Sequence, residues 1–328
     1  MSAVAAVETL EFVWWVPLFF YSLLFVPSLL RLKKIHVNLR VLMSNVIVDC
    51  LLSIGFRLVL RLSGQTNGNG AAFCTVFSFA NVWFLLSGSG TLLFLCAERY
   101  VATTRRRTYE QTGGVLSLCA LILKYVLSAA MSVWIVFRPR KALTAETCSF
   151  VDHNPGTIVF VYLLGILGFL LGLTITLFLH AFNVRRHKQI EDDLSTRFQF
   201  KENIAATRML SYQMQCYFGI SLIGAPIAIL NYCIEEKADA QVLFQLLNQT
   251  PFILYLFYLS FYLLHVTFWY DPFFFAHTKG LMDRFCCSLE ALADRQKTEL
   301  TVSEETDVYF KQMSSMWEAA ASPKKAAN

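Results

Sequence analysis

Charge is what this sequence has least of. Asp, Glu, Lys and Arg make up 16% of its 328 residues, while 56% are hydrophobic. Soluble domains run nearer about a quarter charged and under about half apolar, so the one or two soluble domains that the length alone suggests are excluded. Cysteine is also scarce. Nine in 328 residues exclude a disulfide-dense secreted module, and no cysteine–histidine spacing suggests zinc. No His and paired carboxylates converge at one depth, as an intramembrane enzyme would need. No metal, cofactor or catalytic residue is therefore expected. What is plentiful is aromatic and apolar: 29 phenylalanines and an aromatic share of 15%, which exclude disorder for the bulk of the chain. The charge is also uneven. Residues 277–328 carry 15 charged side chains in 52 positions, and residues 1–276 carry 36.

About 20 apolar residues in a helix cross a bilayer core about 30 Å thick. Seven such stretches occur, near 12–30, 38–60, 73–97, 114–137, 156–182, 209–234 and 244–276. They are apolar on all sides, unlike the helices of a soluble protein, and prolines within them (Pro17, Pro27, Pro226, Pro251) are tolerated in membrane helices. The stretch before residue 12 has two acids and no basic segment, so it does not read as a cleaved signal peptide. The expected fold is an all-α membrane protein, a seven-transmembrane helix bundle over 1–276. A short amphipathic interfacial helix over 277–287 and a disordered cytoplasmic tail over 288–328 are expected to follow.

Lys and Arg orient it. The segments 31–40, 99–107 and 185–208 hold 4, 4 and 6 of them and the tail 7, whereas the opposite loops hold 5. The N-terminus is expected outside and the C-terminus inside. The basic excess marks a cytoplasmic face, not nucleic-acid binding.

Few residues in such a body carry chemistry. Cys74 lies at the outer end of the third span and Cys148 in the next outer loop. On the oxidising side a disulfide between them is allowed, the alternative being two unpaired thiols. At the inner end of the third span stand Glu98, Arg99 and Tyr100, followed by Arg105, Arg106 and Arg107. The Glu–Arg pair is either an interface-snorkelling pair or a switch that frees Arg99 when the bundle opens. Asp49 sits mid-span in the second helix with Asn45 and Ser44 before it. A carboxylate at that depth is a functional candidate with three roles open: binding a cation, relaying a conformational change, or sitting hydrogen-bonded to its neighbours. Arg57 is read as snorkelling outward and Lys124 inward, and His265 as a satisfied interior histidine. After the seventh span come Asp271, Pro272 and Phe275, then Cys286 and Cys287, which are either palmitoylation sites or free thiols. Asn248-Gln249-Thr250 has the glycosylation pattern but lies too near lipid for ready modification.

Together these features resemble a G-protein-coupled receptor. The resemblance rests on Cys74 with Cys148, on Glu98-Arg99-Tyr100, on Asp49, and on Asp271-Pro272 with Phe275 in the place of the usual Asn/Asp-Pro-x-x-Tyr. The sixth span departs from the pattern: Gly224-Ala225-Pro226 lacks the tryptophan usual two residues before that proline. A narrower likeness comes from Ala97–Thr103 with Tyr109-Glu110, and from the run Leu194-Ser195-Thr196-Arg197-Phe198-Gln199-Phe200-Lys201-Glu202-Asn203-Ile204. Both are similar to the inner loops of nematode serpentine chemoreceptors of the Sra-type superfamily, which holds the alpha, alpha/beta, beta and epsilon classes.

The resemblance implies a chemosensory receptor in the plasma membrane, with a sensory cilium as a candidate site. Its implied partners are the lipid bilayer, a small-molecule ligand and a heterotrimeric G protein. The basic rim of Arg99, Arg105, Arg106, Arg107, Arg185, Arg186 and Lys188 suits an acidic protein surface or anionic lipid. The pocket is expected in the outer half of the bundle. By depth its wall candidates are Asn81, Trp83, Ser87, Tyr162, Asn231, Tyr232, Phe252 and Tyr255, and their aromatic character suits an apolar or weakly polar ligand. A transporter or ligand-gated channel is the alternative; it would line several spans with polar residues or pair broken helices.

Overall fold

The structure, a computed structural model, describes residues 3–31, 35–64, 71–105, 109, 114–136, 155–188, 194–234 and 241–270. Within them lie seven helices: α1 (Ala3–Arg31), α2 (Val37–Gly64), α3 (Ala71–Thr104), α4 (Val115–Val136), α5 (Pro155–His187), α6 (Leu194–Ile234) and α7 (Gln241–Tyr270). Each is long and apolar enough to cross a membrane. Among the described residues every regular element is a helix. This follows from the physics of hydrocarbon, where each backbone N–H and C=O needs a partner inside its own segment.

Two helices outrun their apolar stretches. α3 continues through Glu98-Arg99-Tyr100 to Thr104. α6 begins at Leu194 and has 41 residues, a rise of about 60 Å, or twice the bilayer core. The polar run Leu194–Ile204, expected as a loop entering the sixth span, is the first three turns of α6. Pro17 and Pro27 lie inside α1, Pro226 inside α6 and Pro251 inside α7.

α3 is the central post: α2, α4, α5 and α6 all pack on it. The closest pairings are α2 with α3 and α5 with α6, and α1 lies against α2. Side chains tie α7 in. The Trp14 indole of α1 donates to Ser260 Oγ at 3.0 Å, and the Tyr262 hydroxyl donates to the Met43 carbonyl of α2 at 3.2 Å. The bundle end bearing the N-terminus is called the amino end below, and the opposite one the carboxyl end.

Glycines set the close approaches, as they do where membrane helices must meet without a hydrophobic drive. A Cβ on Gly88 of α3 would stand 2.5 Å from the Tyr255 hydroxyl of α7 and 3.3 Å from Asp49 Cβ of α2. One on Gly224 of α6 would stand 2.7 Å from the Tyr162 ring of α5. Gly172 of α5 likewise admits Met214 of α6 and Leu93 of α3.

Gly88→Val should therefore separate α3 from α7 and cost about 1–3 kcal/mol, read as a lowered melting midpoint in detergent. Gly219→Ala is the control, because that position faces open space. Equal midpoints for the two variants would show that the Gly88 contact is not needed.

Candidate functional site

The bundle's buried charges come in three levels. At the amino end, Arg57 of α2 is buried and meets Glu11 of α1 at 3.2 and 3.3 Å. It also donates to Gln249 of α7, and its guanidinium lies 3.2 Å from the ring centre of Phe252. Arg57 does not snorkel. A carboxylate one helix away at the same depth neutralises it, which costs less than exposing the charge to lipid. Glu11 gave no signal of this role in the sequence, because 46 positions and a change of helix separate the pair.

In mid-bundle Lys124 of α4 reaches Asp49 Oδ2 at 2.6 Å, with both side chains at most 1% exposed. Lys124 does not snorkel inward either. Its ammonium also donates to Thr91 at 3.2 Å and to Asn45. Ser87 of α3 and Tyr125 of α4 each donate to Asp49 at 2.8 Å, and Asn45 donates to the Tyr125 hydroxyl at 2.7 Å. This polar knot joins α2, α3 and α4. Asp49 has Asn45 in its knot, but its principal partner is the lysine.

At the carboxyl end Arg99 is buried. Its Nε and Nη2 donate to the two oxygens of Glu98 at 2.5 Å each, Nη1 donates to Asn203 Oδ1 of α6 at 3.0 Å, and Nη2 to the Tyr109 hydroxyl at 3.0 Å. Tyr109 in turn donates to Glu98. Its ring packs on His36 with centroids 4.2 Å apart, and the His36 backbone N–H donates to Glu202 at 3.0 Å. The two sequence runs that carried the narrower resemblance thus meet in space, through Arg99 and Tyr109 on one side and Glu202 and Asn203 on the other. Burial and the Glu98 carboxylate raise the Tyr109 phenol above its ordinary range. Tyr100 points away and is 52% exposed. Arg105, Arg185, Arg186 and Lys188 are exposed at this end.

Between the levels lies a cavity of about 240 Å³ with walls from α3, α4, α5, α6 and α7. Tyr162, Phe252 and Tyr255 line it. The other depth candidates point elsewhere. Ser87 faces Asp49. Asn81 donates to the Ser53 carbonyl at 2.6 Å. The Trp83 indole donates to the Tyr125 carbonyl at 3.0 Å. Asn231 donates to Asn248, and Tyr232 is 45% exposed. The sequence reading missed Phe169, Ser89 and Tyr217; the two hydroxyls bond each other. From Tyr217 a run of rings continues through Tyr258, 5.0 Å away, to Tyr262.

Asn248 is buried inside α7, so its glycosylation pattern is structurally closed. His265 is an interior histidine bonded to Gln213 at 2.8 Å. Cys74 is buried and disulfide-bonded. Cys148, Arg106, Arg107, Asp271, Pro272, Phe275, Cys286 and Cys287, the interfacial helix and the tail lie outside the described residues. Among the described residues no cluster of metal-ligating side chains occurs.

A seven-helix membrane bundle with a buried Glu–Arg pair at one end and an apolar cavity between the helices has the architecture of a G-protein-coupled receptor. Residues 1–267 match the family model described as serpentine type 7TM GPCR receptor class ab chemoreceptor, and the chain belongs to that family. It is a multi-pass membrane protein with a chemosensory receptor role. A search of curated proteins finds no match.

Removing one member of a buried ion pair strands the other. Asp49→Asn and Lys124→Met should each cost about 3–5 kcal/mol, and the double variant should cost well under their sum, by thermal midpoint. Strict additivity would show that the two charges do not compensate each other. Tyr109 makes a separate pH prediction. Because its phenol is raised in the folded state, its contribution is complete below the ordinary tyrosine range and declines as pH rises above it. Tyr109→Phe should remove that alkaline decline, measured by the melting midpoint between neutral pH and pH about 11.

Proposed function

We propose that this chemoreceptor binds a small, weakly polar molecule in the cavity between α3 and α7 and passes the signal to a heterotrimeric G protein at its carboxyl end. The observation that carries the reading is the state of Arg99. Its charge is wholly buried, yet one of its hydrogen bonds crosses to α6 and another to Tyr109, beyond the end of α3. A movement of α6 away from α3 breaks the Asn203 bond and presents the guanidinium at the carboxyl end, beside the exposed Arg105, Arg185 and Arg186. That is a discrete two-state element of the kind a ligand can bias. The ligand drives it only as far as it binds the open state better than the closed one.

In this reading the amino end faces outside and the carboxyl end the cytoplasm of the plasma membrane, with the sensory cilium as the candidate compartment. The disulfide of Cys74 is assigned to Cys148, which would tie the loop after α4 to the amino end of α3. Asp271, Pro272 and Phe275 are assigned to the cytoplasmic end of the switch. Palmitoylation of Cys286 and Cys287 would anchor an interfacial helix to the inner leaflet, with a cytoplasmic tail beyond it.

Nucleotide exchange on reconstituted G protein tests the coupling. A hydrogen bond to a charged group is worth about 1.5–3 kcal/mol. Asn203→Ala and Tyr109→Phe should therefore raise ligand-independent exchange several-fold, while Arg99→Gln should abolish agonist-driven exchange at unchanged surface amount. Full signalling by Arg99→Gln, or basal exchange unaltered in both other variants, would remove the switch role.

A further inference from the structure

The cavity has a side wall that the charged levels do not explain. Among the described residues the close helix neighbours of α4 are α3 and α2; toward α5 it offers an edge-on ring contact between Trp134 and Phe160, with centroids 5.8 Å apart. Both rings are near the amino end. Toward the carboxyl end the same gap is closed by Leu93 of α3, which lies over Gly168 and Gly172 of α5: a Cβ on either glycine would stand 3.5 or 3.1 Å from its methyls. Between the ring pair and Leu93 the wall consists of Met131 on α4 and of Leu164, Gly165 and Gly168 on α5. Two of these residues belong to the cavity and the outer surface at once. Leu164 is 49% exposed and Leu93 is 37% exposed, and both line the cavity. Leu163, Leu167 and Leu171 continue the exposed apolar face of α5, which in a membrane is the face that meets acyl chains. The cavity therefore has a flank that opens to lipid.

The chemistry of the interior says what can pass. None of its lining residues is ionisable at neutral pH, and an uncompensated charge would be strongly disfavoured there. The polar groups are hydroxyls, and most are already engaged. Ser89 and Tyr217 bond each other, and Ser221 donates to the Tyr217 carbonyl at 2.9 Å. Tyr162 and Tyr255 also line the cavity, and the Tyr255 hydroxyl is buried with no hydrogen-bond partner among the described residues. These two phenols are the remaining donors and acceptors of an otherwise apolar chamber. The volume is smaller than the roughly 300 Å³ at which drug-sized pockets begin, so the occupant is small.

We propose that the ligand is an uncharged lipophilic molecule with one hydrogen-bonding oxygen, and that it enters sideways from the bilayer between α4 and α5, passing Leu164 and Met131 to reach Tyr162. The proposal rests on the preceding reading only in taking this cavity as the ligand site. A compound of this class concentrates in the membrane before it meets the receptor, so the flank facing lipid samples a far higher concentration than the water phase supplies. Leu164 and Leu93, with no branch at Cβ, are side chains at the rim that can swing without unpairing any polar group.

The test is photolabelling of the full-length receptor in lipid nanodiscs with a diazirine-bearing analogue of octanol, with adducts mapped by peptide mass spectrometry after flashes at increasing delays. Expected are adducts on cavity residues such as Phe169 and Tyr162, competed by unlabelled octanol and not by octanoate at neutral pH. Leu164→Trp with Met131→Trp should slow the appearance of cavity adducts several-fold without changing their final yield, while Leu164→Ala should quicken it. Leu164 also lines the cavity, so the unchanged final yield is what separates slowed entry from a damaged chamber. Tyr162→Phe should weaken competition by octanol and leave competition by octane unchanged. Cavity adducts that form at the same rate in all the rim variants would overturn the lateral route. Competition by octanoate equal to that by octanol, or adducts confined to the outer surface, would overturn the ligand class. The readout needs no G protein, so a receptor that labels as expected yet drives no nucleotide exchange would support this inference while removing the coupling reading.

Discussion

The cost of holding a charge inside hydrocarbon governs this bundle. Each cation buried within the described spans has a carboxylate in contact: Arg57 with Glu11, Lys124 with Asp49, and Arg99 with Glu98. A lone charge there would demand neutralisation or a water defect, so the first two pairs specify which helices must be neighbours, and Arg99, paired within α3, does so through Asn203. Arg57 binds α2 to α1 and reaches α7. Lys124 binds α4 to α2 with Ser87 and Thr91 of α3 alongside. Arg99 binds α3 to the start of α6. Along α2 the first two levels are about 12 Å apart, and along α3 the Ser87 and Arg99 positions are about 18 Å apart by helical rise. The apolar surface is compatible with many arrangements of seven greasy helices; these contacts narrow the choice for every helix but α5.

The cavity occupies what this scheme leaves over. It lies on the α4–α5 side, and α5 is the wall helix that none of the three levels ties to a neighbour. Leucine, glycine and tyrosine are the commonest residues of its walls, and its boundary with the charged levels is made of shared residues. Phe252 lines it and carries the Arg57 guanidinium on its ring. Tyr255 lines it and fits its hydroxyl into the notch at Gly88 beside Asp49. The site is thus in contact with two of the levels without containing a charge itself. The proposed ligand site and the charged levels meet at Phe252 and Tyr255.

Much of this was legible in the sequence and some was not, for physical reasons. The helices were legible because hydrocarbon demands long apolar runs, and the sequence has seven. Their true ends were less so, because the first turns of α6 and the last turns of α3 are polar and fall outside any apolar window. Asp49 and Glu98-Arg99 stood out as rare charges. Their partners did not: Lys124 is 75 positions from Asp49, and Asn203 is 104 from Arg99. Arg57 and Lys124 looked like residues that reach for the interface because a single helix shows depth but not neighbours. Depth also over-predicted the cavity wall. Asn81, Ser87 and Asn231 stand at suitable heights yet turn to other helices, since height along a helix does not fix the direction a side chain takes around it. Gly88 and Gly224 gave no local signal at all, because what they permit is the approach of a tyrosine from another helix.

The length of α6 has a mechanical meaning. Gly224, where Tyr162 seats, and Asn203, which holds Arg99, lie on one unbroken helix. The 21 residues between them amount to a rigid arm about 31 Å long. Tilting that arm by about 5° at the glycine displaces its far end by about 3 Å, comparable to the length of the bond Asn203 makes. In the proposed switch, a small tilt where Tyr162 seats would be enlarged along this arm to the scale on which a hydrogen bond either exists or does not.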